Sequence, residues 1–278
     1  MSEHEQERGQ DKEQGFIARL AAMPNESVGK ILLVAITLSL VCSVMVSSAA
    51  VVLKPLQDRN AEIARQQRIL EVAGLLEPGR PVEELFERVD ARLVNLDTGE
   101  FSDRFEPAEY DQQIAARNPE ISRALESWED IAGMRRRADY APVYLVREEG
   151  ELSKIILPVH GYGLWSTMYG FLALSGDARE VRGLIFYQHA ETPGLGGEID
   201  NPRWRERWIG RKVFGPDGDV KLRVVRGSVD PASPMADWAV DGITGATLTA
   251  EGVSNMVQFW LGDLGFGPFL TRLQQEGI

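Results

Sequence analysis

The sequence predicts an α+β fold: a twisted, mostly antiparallel sheet with flanking helices, carried behind a single N-terminal membrane helix. Two observations predict it. No side chain is charged from residue 31 to residue 53, a run bracketed by Lys30 and Lys54. Beyond that run, helix-spaced apolar residues come first and short β-branched runs come later, separated by turn residues. Helices followed by strands belong to α+β domains, whereas parallel-sheet folds alternate the two.

The elements follow in order. Residues 1–27 form a polar tail rich in Glu, Gln and Arg, and residues 28–53 the span. At ~1.5 Å per residue the uncharged run reaches roughly 35 Å, enough for a ~30 Å hydrocarbon core. A cleaved signal peptide is the rival, with Ser47, Ser48, Ala49 and Ala50 imitating a cleavage site; its apolar region would be shorter and nearer the start. Basic residues flank both ends, so the positive-inside rule leaves orientation open. The span lacks Asp, Glu, Lys and Arg, which excludes an ion path built by this chain alone.

Other classes fall to composition. A formal charge of −12 with no basic stripe argues against a nucleic-acid partner. The single Cys42 excludes an internal disulfide and a cysteine-ligated cluster built by this chain alone. His4, His160 and His189 have no metal-ligand spacing.

Residues 54–139 read as a helical region. One helix runs over 57–76 and stops at Pro78-Gly79; a second covers 81–93 through Val82, Leu85, Phe86, Val89 and Leu93. A third lies within 107–137, broken near Asn118-Pro119, with Arg135, Arg136 and Arg137 as a solvated face. Residues 140–278 read as the domain core. Strands are expected over 142–146, 154–159, 167–174, 181–189 and 220–225. A last helix, with Thr249 as N-cap, carries Val253, Met256, Val257, Trp260 and Leu261 on one stripe.

Three loops can carry chemistry. In residues 160–167 two glycines allow close approach to a flat ligand and Trp165 can pack on a ring; the alternative for Trp165 is a core or hairpin aromatic. The loop 191–198, Glu-Thr-Pro-Gly-Leu-Gly-Gly-Glu, has neither dinucleotide nor triphosphate spacing, yet its amides can hold a carbonyl or ring nitrogen; alone it reads as a plain turn. The loop 241–249, Asp-Gly-Ile-Thr-Gly-Ala-Thr-Leu-Thr, puts Thr244, Thr247 and Thr249 among small residues and feeds a helix N-terminus, where free amides and the dipole favour a phosphate. A plain capping loop is the alternative. A threonine nucleophile for hydrolysis is disfavoured, since only Asp241 and Glu251 stand near it in sequence.

Four stretches taken together, residues 163–174, 191–199, 244–249 and 259–270, resemble the C-type subunits of sodium-translocating NADH:quinone oxidoreductases, a family with an FMN-binding domain. The similarity runs from the membrane span to the C-terminus and is dense after Tyr140. It implies one covalent FMN per chain, joined through its phosphate to a threonine of a Ser/Thr-Gly-Ala-Thr motif, here Thr247. It also implies an extracytoplasmic, periplasmic FMN-binding domain on a single-pass bacterial inner-membrane protein, working with other subunits of a multi-subunit redox complex. Two departures are visible. Thr244 and Ala250 stand where serine is common in the family.

With that resemblance, the residues take expected roles. Gly245 and Ala246 keep the loop slim, so that a flavin transferase reaches Thr247. Thr244, Leu248 and Thr249 surround the attachment point. Trp165 and the loop bearing Glu191, Thr192, Gly194, Leu195 and Gly196 flank the isoalloxazine. Arg226, preferred over Lys212, offers counter-charge to the phosphate. The flavin does the redox chemistry, so no catalytic acid or nucleophile is required. Other subunits and membrane lipid are the remaining partners. Two further readings stay open: the G-type subunit of the related ion-pumping ferredoxin:NAD oxidoreductase, and a membrane-anchored binding or sensor module.

Overall fold

A computed structural model of the chain describes Pro24 and residues 27–276, so most of the expected tail over 1–27 lies outside the described residues. The chain divides into two compact units, residues 1–61 and residues 62–278. Helix α1 (Val28–Ala73) passes from one into the other.

In the first unit, α1 exposes apolar side chains all round, Ile36, Val44 and Val52 among them. A helix apolar on every side has no protein core to face and suits a hydrocarbon surrounding. It is the one helix among the described residues long and apolar enough to cross a membrane. The helix continues through Pro55, beyond the expected end of the span at residue 53.

The second unit is built on one antiparallel sheet of five strands. In their spatial order these are β1 (Val89–Asn95), β4 (Tyr140–Glu148), β5 (Glu151–Tyr162), β6 (Thr167–Ser175) and β7 (Val181–Gln188). Alternation sorts the side chains onto two faces. Ile155, Leu157 and Val159 of β5 point to one core with Leu172 and Leu174 of β6; Ile156, Phe171 and Ala173 point to the other. The second core is closed by Ile69, Leu70, Val72 and Ala73, from the last turns of α1. The first, larger core is closed by α5 (Thr247–Leu261) and α6 (Gly267–Glu276). The indoles of Trp204, on the short helix α4 (Pro202–Arg205), and of Trp208 complete it. The sheet is therefore covered by helices on both faces; what places it in the predicted α+β class is that all five strands pair antiparallel.

The expected helix over 81–93 is corrected. Only α2 (Val82–Phe86) is helical, and residues 89–95 form the edge strand β1, paired in register with β4 from Val89↔Val146 to Asn95↔Tyr140. The cause is a degenerate pattern: Val89 and Leu93 are four apart, a spacing that satisfies both helical and strand periodicity. Through β1, the region 54–139 that reads as helical and the core 140–278 share one sheet. The helix expected within 107–137 is likewise reduced to α3 (Gln112–Ala115), capped by Asp111, beside a small pair of strands, β2 (Ser122–Ala124) and β3 (Arg136–Ala138). Strand alternation on β3 splits the arginine run. Arg136 stays half-exposed, whereas Arg137 is buried and donates to the Leu264 carbonyl at 2.8 Å and to Asp97. The solvated face expected for all three is thus wrong for Arg137. The strand expected over 220–225 shrinks to β8 (Arg223–Val224), which pairs in parallel with β9 (Ala239–Val240) outside the main sheet.

Candidate functional site

Helix α5 is seated directly on β5, and glycine makes the contact possible. A Cβ on Gly252 would stand 2.5 Å from the Tyr162 carbonyl, and one on Gly161 would stand 2.8 Å from Met256 Cβ. This brings the start of α5 beside the tip of the β5–β6 hairpin, residues 163–166, and beside the loop that follows β7.

Glu191 fastens the three segments together. Its carboxylate is buried, and Oε1 accepts the amides of Leu164 at 3.0 Å and Trp165 at 3.1 Å, while Oε2 accepts the hydroxyl of Thr249. A Cβ on Gly163 would meet Glu191 Oε1 at 2.5 Å, and one on Gly196 would meet Thr249 Oγ1 at 2.5 Å. His189 extends the arrangement: Nδ1 accepts the Glu191 amide at 3.1 Å and Nε2 faces Asp200 at 2.8 Å.

Thr249 is therefore not the N-cap that the sequence suggested. It is the third residue of α5 and fully buried; Ala246 occupies the cap position with φ −132° and ψ 49° and supplies no capping side chain. The amides of the first turn thus have no side-chain oxygen of their own, the usual condition for an anion-accepting helix end. Thr247 is the first helical residue and is exposed, as are Thr244 and Gly245. Gly245 has φ +76°, a left-handed conformation that glycine adopts without penalty, and a Cβ there would meet Leu195 at 3.1 Å.

Thr244, Gly245 and Thr247 line a cleft of about 260 Å³ with Arg226 and Glu251. Arg226 is thus on the cleft that holds both candidate threonines. Its guanidinium is engaged by Glu251 Oε1 at 2.6 Å. Lys212 is not on this cleft and pairs with Asp237 at 2.6 Å. Asp241, weighed above as a base for threonine, is committed elsewhere: its carboxylate accepts the Val229 amide at 2.6 Å and pairs with Arg207 at 2.6 Å.

The segments that Glu191 joins to the start of α5 also present apolar surface. Trp165 is 63% exposed in the β5–β6 hairpin tip, which excludes a core aromatic and is the hairpin position of the other alternative, and its Nε1 donates to Thr192 Oγ1 at 3.1 Å. Leu195 and Leu248 are also exposed. The segments that Glu191 joins thus offer exposed indole and leucine side chains for a flat ring, and an uncapped helix end for a phosphate. Sequence reasoning named Glu191 and Thr249 but missed their mutual bond. Only the pairing of a polar residue with an apolar helix stripe, Thr249 four residues before Val253, hinted that Thr249 faces inward.

His160 and His189 are both held by neighbouring side chains. His160 is packed between Tyr169, ring centroids 5.5 Å apart, and Trp260, 4.8 Å apart, and this burial lowers its pKa to about 4.

The FMN-binding domain family model matches residues 163–262, a stretch that includes the hairpin tip, the Glu191 loop and α5. The C-type subunit of the Na(+)-translocating NADH-quinone reductase of Pseudomonas aeruginosa is 51% identical over 254 residues, covering 90% of this chain and 97% of that protein. Its Yersinia pestis counterpart is 48% identical over 259 residues, covering 91% and 96%. The crystal structure of Shewanella oneidensis NqrC superposes with a TM-score of 0.70 at 34% identity, covering 76% of this chain and 96% of that one. That of the Parabacteroides distasonis counterpart gives 0.61 at 29% identity, covering 79% and 97%. At this identity and coverage, the chain belongs to the NqrC family, the C-type subunits of Na(+)-translocating NADH-quinone reductases.

Proposed function

We propose that this chain is the FMN-carrying, electron-relaying subunit of a membrane complex that couples NADH oxidation and quinone reduction to sodium export. Family membership and the FMN-binding match support the complex and the cofactor. When bound, FMN supplies one- and two-electron redox chemistry, and the protein supplies binding, orientation and electrostatics.

The residues fit that group. Thr247 is the attachment point: an exposed hydroxyl at the first position of a helix whose cap carries no side-chain oxygen is the single observation on which this rests. A Thr247 Oγ–P bond replaces the O–H, with water as the balance against free FMN. The phosphodiester keeps one negative charge, which the first-turn amides and the helix dipole stabilise by about 0.3–1 kcal/mol. Arg226 contributes by exchanging Glu251 for the phosphate, so the larger share falls to the helix end. Thr244, Gly245, Ala246 and Leu248 form the wall that leaves Thr247 open to a flavin transferase. Trp165, Thr192, Gly194, Leu195 and Gly196 receive the ring, and Glu191 and Thr249 hold that receiving surface in place. The anchor helix sits in lipid and the FMN-bearing unit on the periplasmic side.

The sensor alternative predicts a colourless protein. The G-type alternative is disfavoured by the match to C-type relatives along nearly the whole chain. The test is Thr247→Ala against Thr244→Ala in cells that contain the flavin transferase. Flavin fluorescence on the denatured protein is expected to vanish with the first substitution and persist with the second. The opposite pattern moves the attachment to Thr244.

A further inference from the structure

The strands that carry the hairpin tip also wall a groove of about 500 Å³. Its walls hold Arg117, Arg135 and Arg136 with the rings of Tyr162, Tyr169 and His160, and no carboxylate. Composition alone would not put them there, since Asp and Glu outnumber Lys and Arg by 42 to 30. Arg136 donates to the Ser122 carbonyl at 2.9 Å. Among the described residues, the guanidinium groups of Arg117 and Arg135 have no hydrogen bond or ion pair. Both are exposed.

The segment that presents Arg135 is held firmly. Asp130 accepts the amides of Met134 at 2.7 Å and Arg135 at 2.8 Å, and fixes Arg135 at φ 65°, a conformation that side chains with a Cβ rarely adopt. The Ala132 carbonyl accepts the Tyr162 amide at 2.7 Å. Gly133 lies so close to Tyr162 that a Cβ on it would stand 2.9 Å from Tyr162 Cβ. The arginine-bearing segment is thus clamped to the strand that leads into the hairpin tip. The same tip carries Trp165 and is bonded to Glu191.

We propose that this groove docks a carboxylate-bearing segment of another subunit of the same complex. Charge selects the occupant: two unpaired guanidinium forks match carboxylates in bidentate geometry. The rings select a protein rather than a free anion, because Tyr together with Arg marks the anchoring centre of protein interfaces. The position gives the docking a purpose, in that a partner seated there lies next to the hairpin that faces the cofactor. That purpose rests on the function proposed above; the docking itself is read without it.

The test uses the assembled complex. The double variant Arg117→Glu/Arg135→Glu is compared with Arg117→Lys/Arg135→Lys and with Arg179→Glu, an exposed arginine outside the groove. Charge reversal is expected to weaken retention of the other subunits on a tagged chain by roughly tenfold or more, with the wild-type complex more salt-sensitive than the variant. The lysine variant and Arg179→Glu are expected to retain them. Carbodiimide treatment of the lysine variant is expected to join Lys at 117 or 135 to a carboxylate of a partner protein. Full retention after charge reversal overturns the proposal, as does a cross-link confined to this chain. So does retention unchanged while bound anionic phospholipid falls, which would assign the groove to lipid headgroups. Covalent flavin fluorescence, read on the same samples, reports the cofactor separately: its absence in wild type would sink the flavin assignment and leave the retention assay interpretable.

Discussion

Glu191 shows how one side chain can hold a site that it need not touch chemically. Its carboxylate accepts two amides from the hairpin tip and the hydroxyl of Thr249. Glu191→Ala leaves one buried and two half-buried donors without an acceptor, and the expected loss is about 2 kcal/mol in urea unfolding. Glu191→Gln keeps one acceptor oxygen and is expected to cost less than half as much; equal losses would mean that packing rather than hydrogen bonding matters there. His160 gives a pH signature. Its pKa falls to about 4 when folded, against 6.5 as its ordinary value. Below pH 6.5 the unfolded chain gains a proton that the folded chain refuses, so stability is complete above that pH and is lost as pH falls toward 4. The ring keeps an edge at the surface, so roughly 3 kcal/mol is an upper limit. The difference in urea midpoint between wild type and His160→Gln is expected to change over this window; parallel pH profiles would contradict it.

At the scale of elements, the legible ones were those with a single period. The alternation in β5 and β6 and the stripe from Val253 to Leu261 allow one interpretation each. Residues 81–93 and 107–137 were misread for a physical reason. A four-residue spacing fits helix and strand alike, and charged side chains on β3 conceal that Arg137 turns inward to the Leu264 carbonyl. The candidate site was legible as three loops, because glycine, threonine and proline cluster there. What no local pattern carried is that Thr247 begins α5 rather than preceding it, or that Thr249 bonds to a residue of another loop. Both depend on how closely α5 approaches β5. Gly252→Ala tests that approach. With its Cβ 2.5 Å from the Tyr162 carbonyl, the helix must shift, and a loss of about 2 kcal/mol in thermal or urea unfolding is expected. An unchanged midpoint would mean that the contact is loose.

For the whole molecule, α1 has two different tasks along its length. Residues 28–61 expose apolar side chains, while Ile69, Leu70, Val72 and Ala73 close a face of the sheet in the second unit. A chain beginning at residue 57 is therefore expected to be water-soluble and folded. One beginning at residue 77 should expose Phe171, Ile156 and Ile185 and aggregate. Equal solubility of the two would show that this end of the helix is dispensable.

We propose that the chain carries its flavin on the hydroxyl at the start of α5, and a single peptide tests this. Trypsin releases residues 227–272 as one piece, with Thr244, Thr247 and Thr249 inside it. Tandem mass spectrometry of that peptide, from the mature complex, is expected to find the mass of FMN less water on Thr247. An unmodified peptide, or the added mass on another residue, would contradict the account.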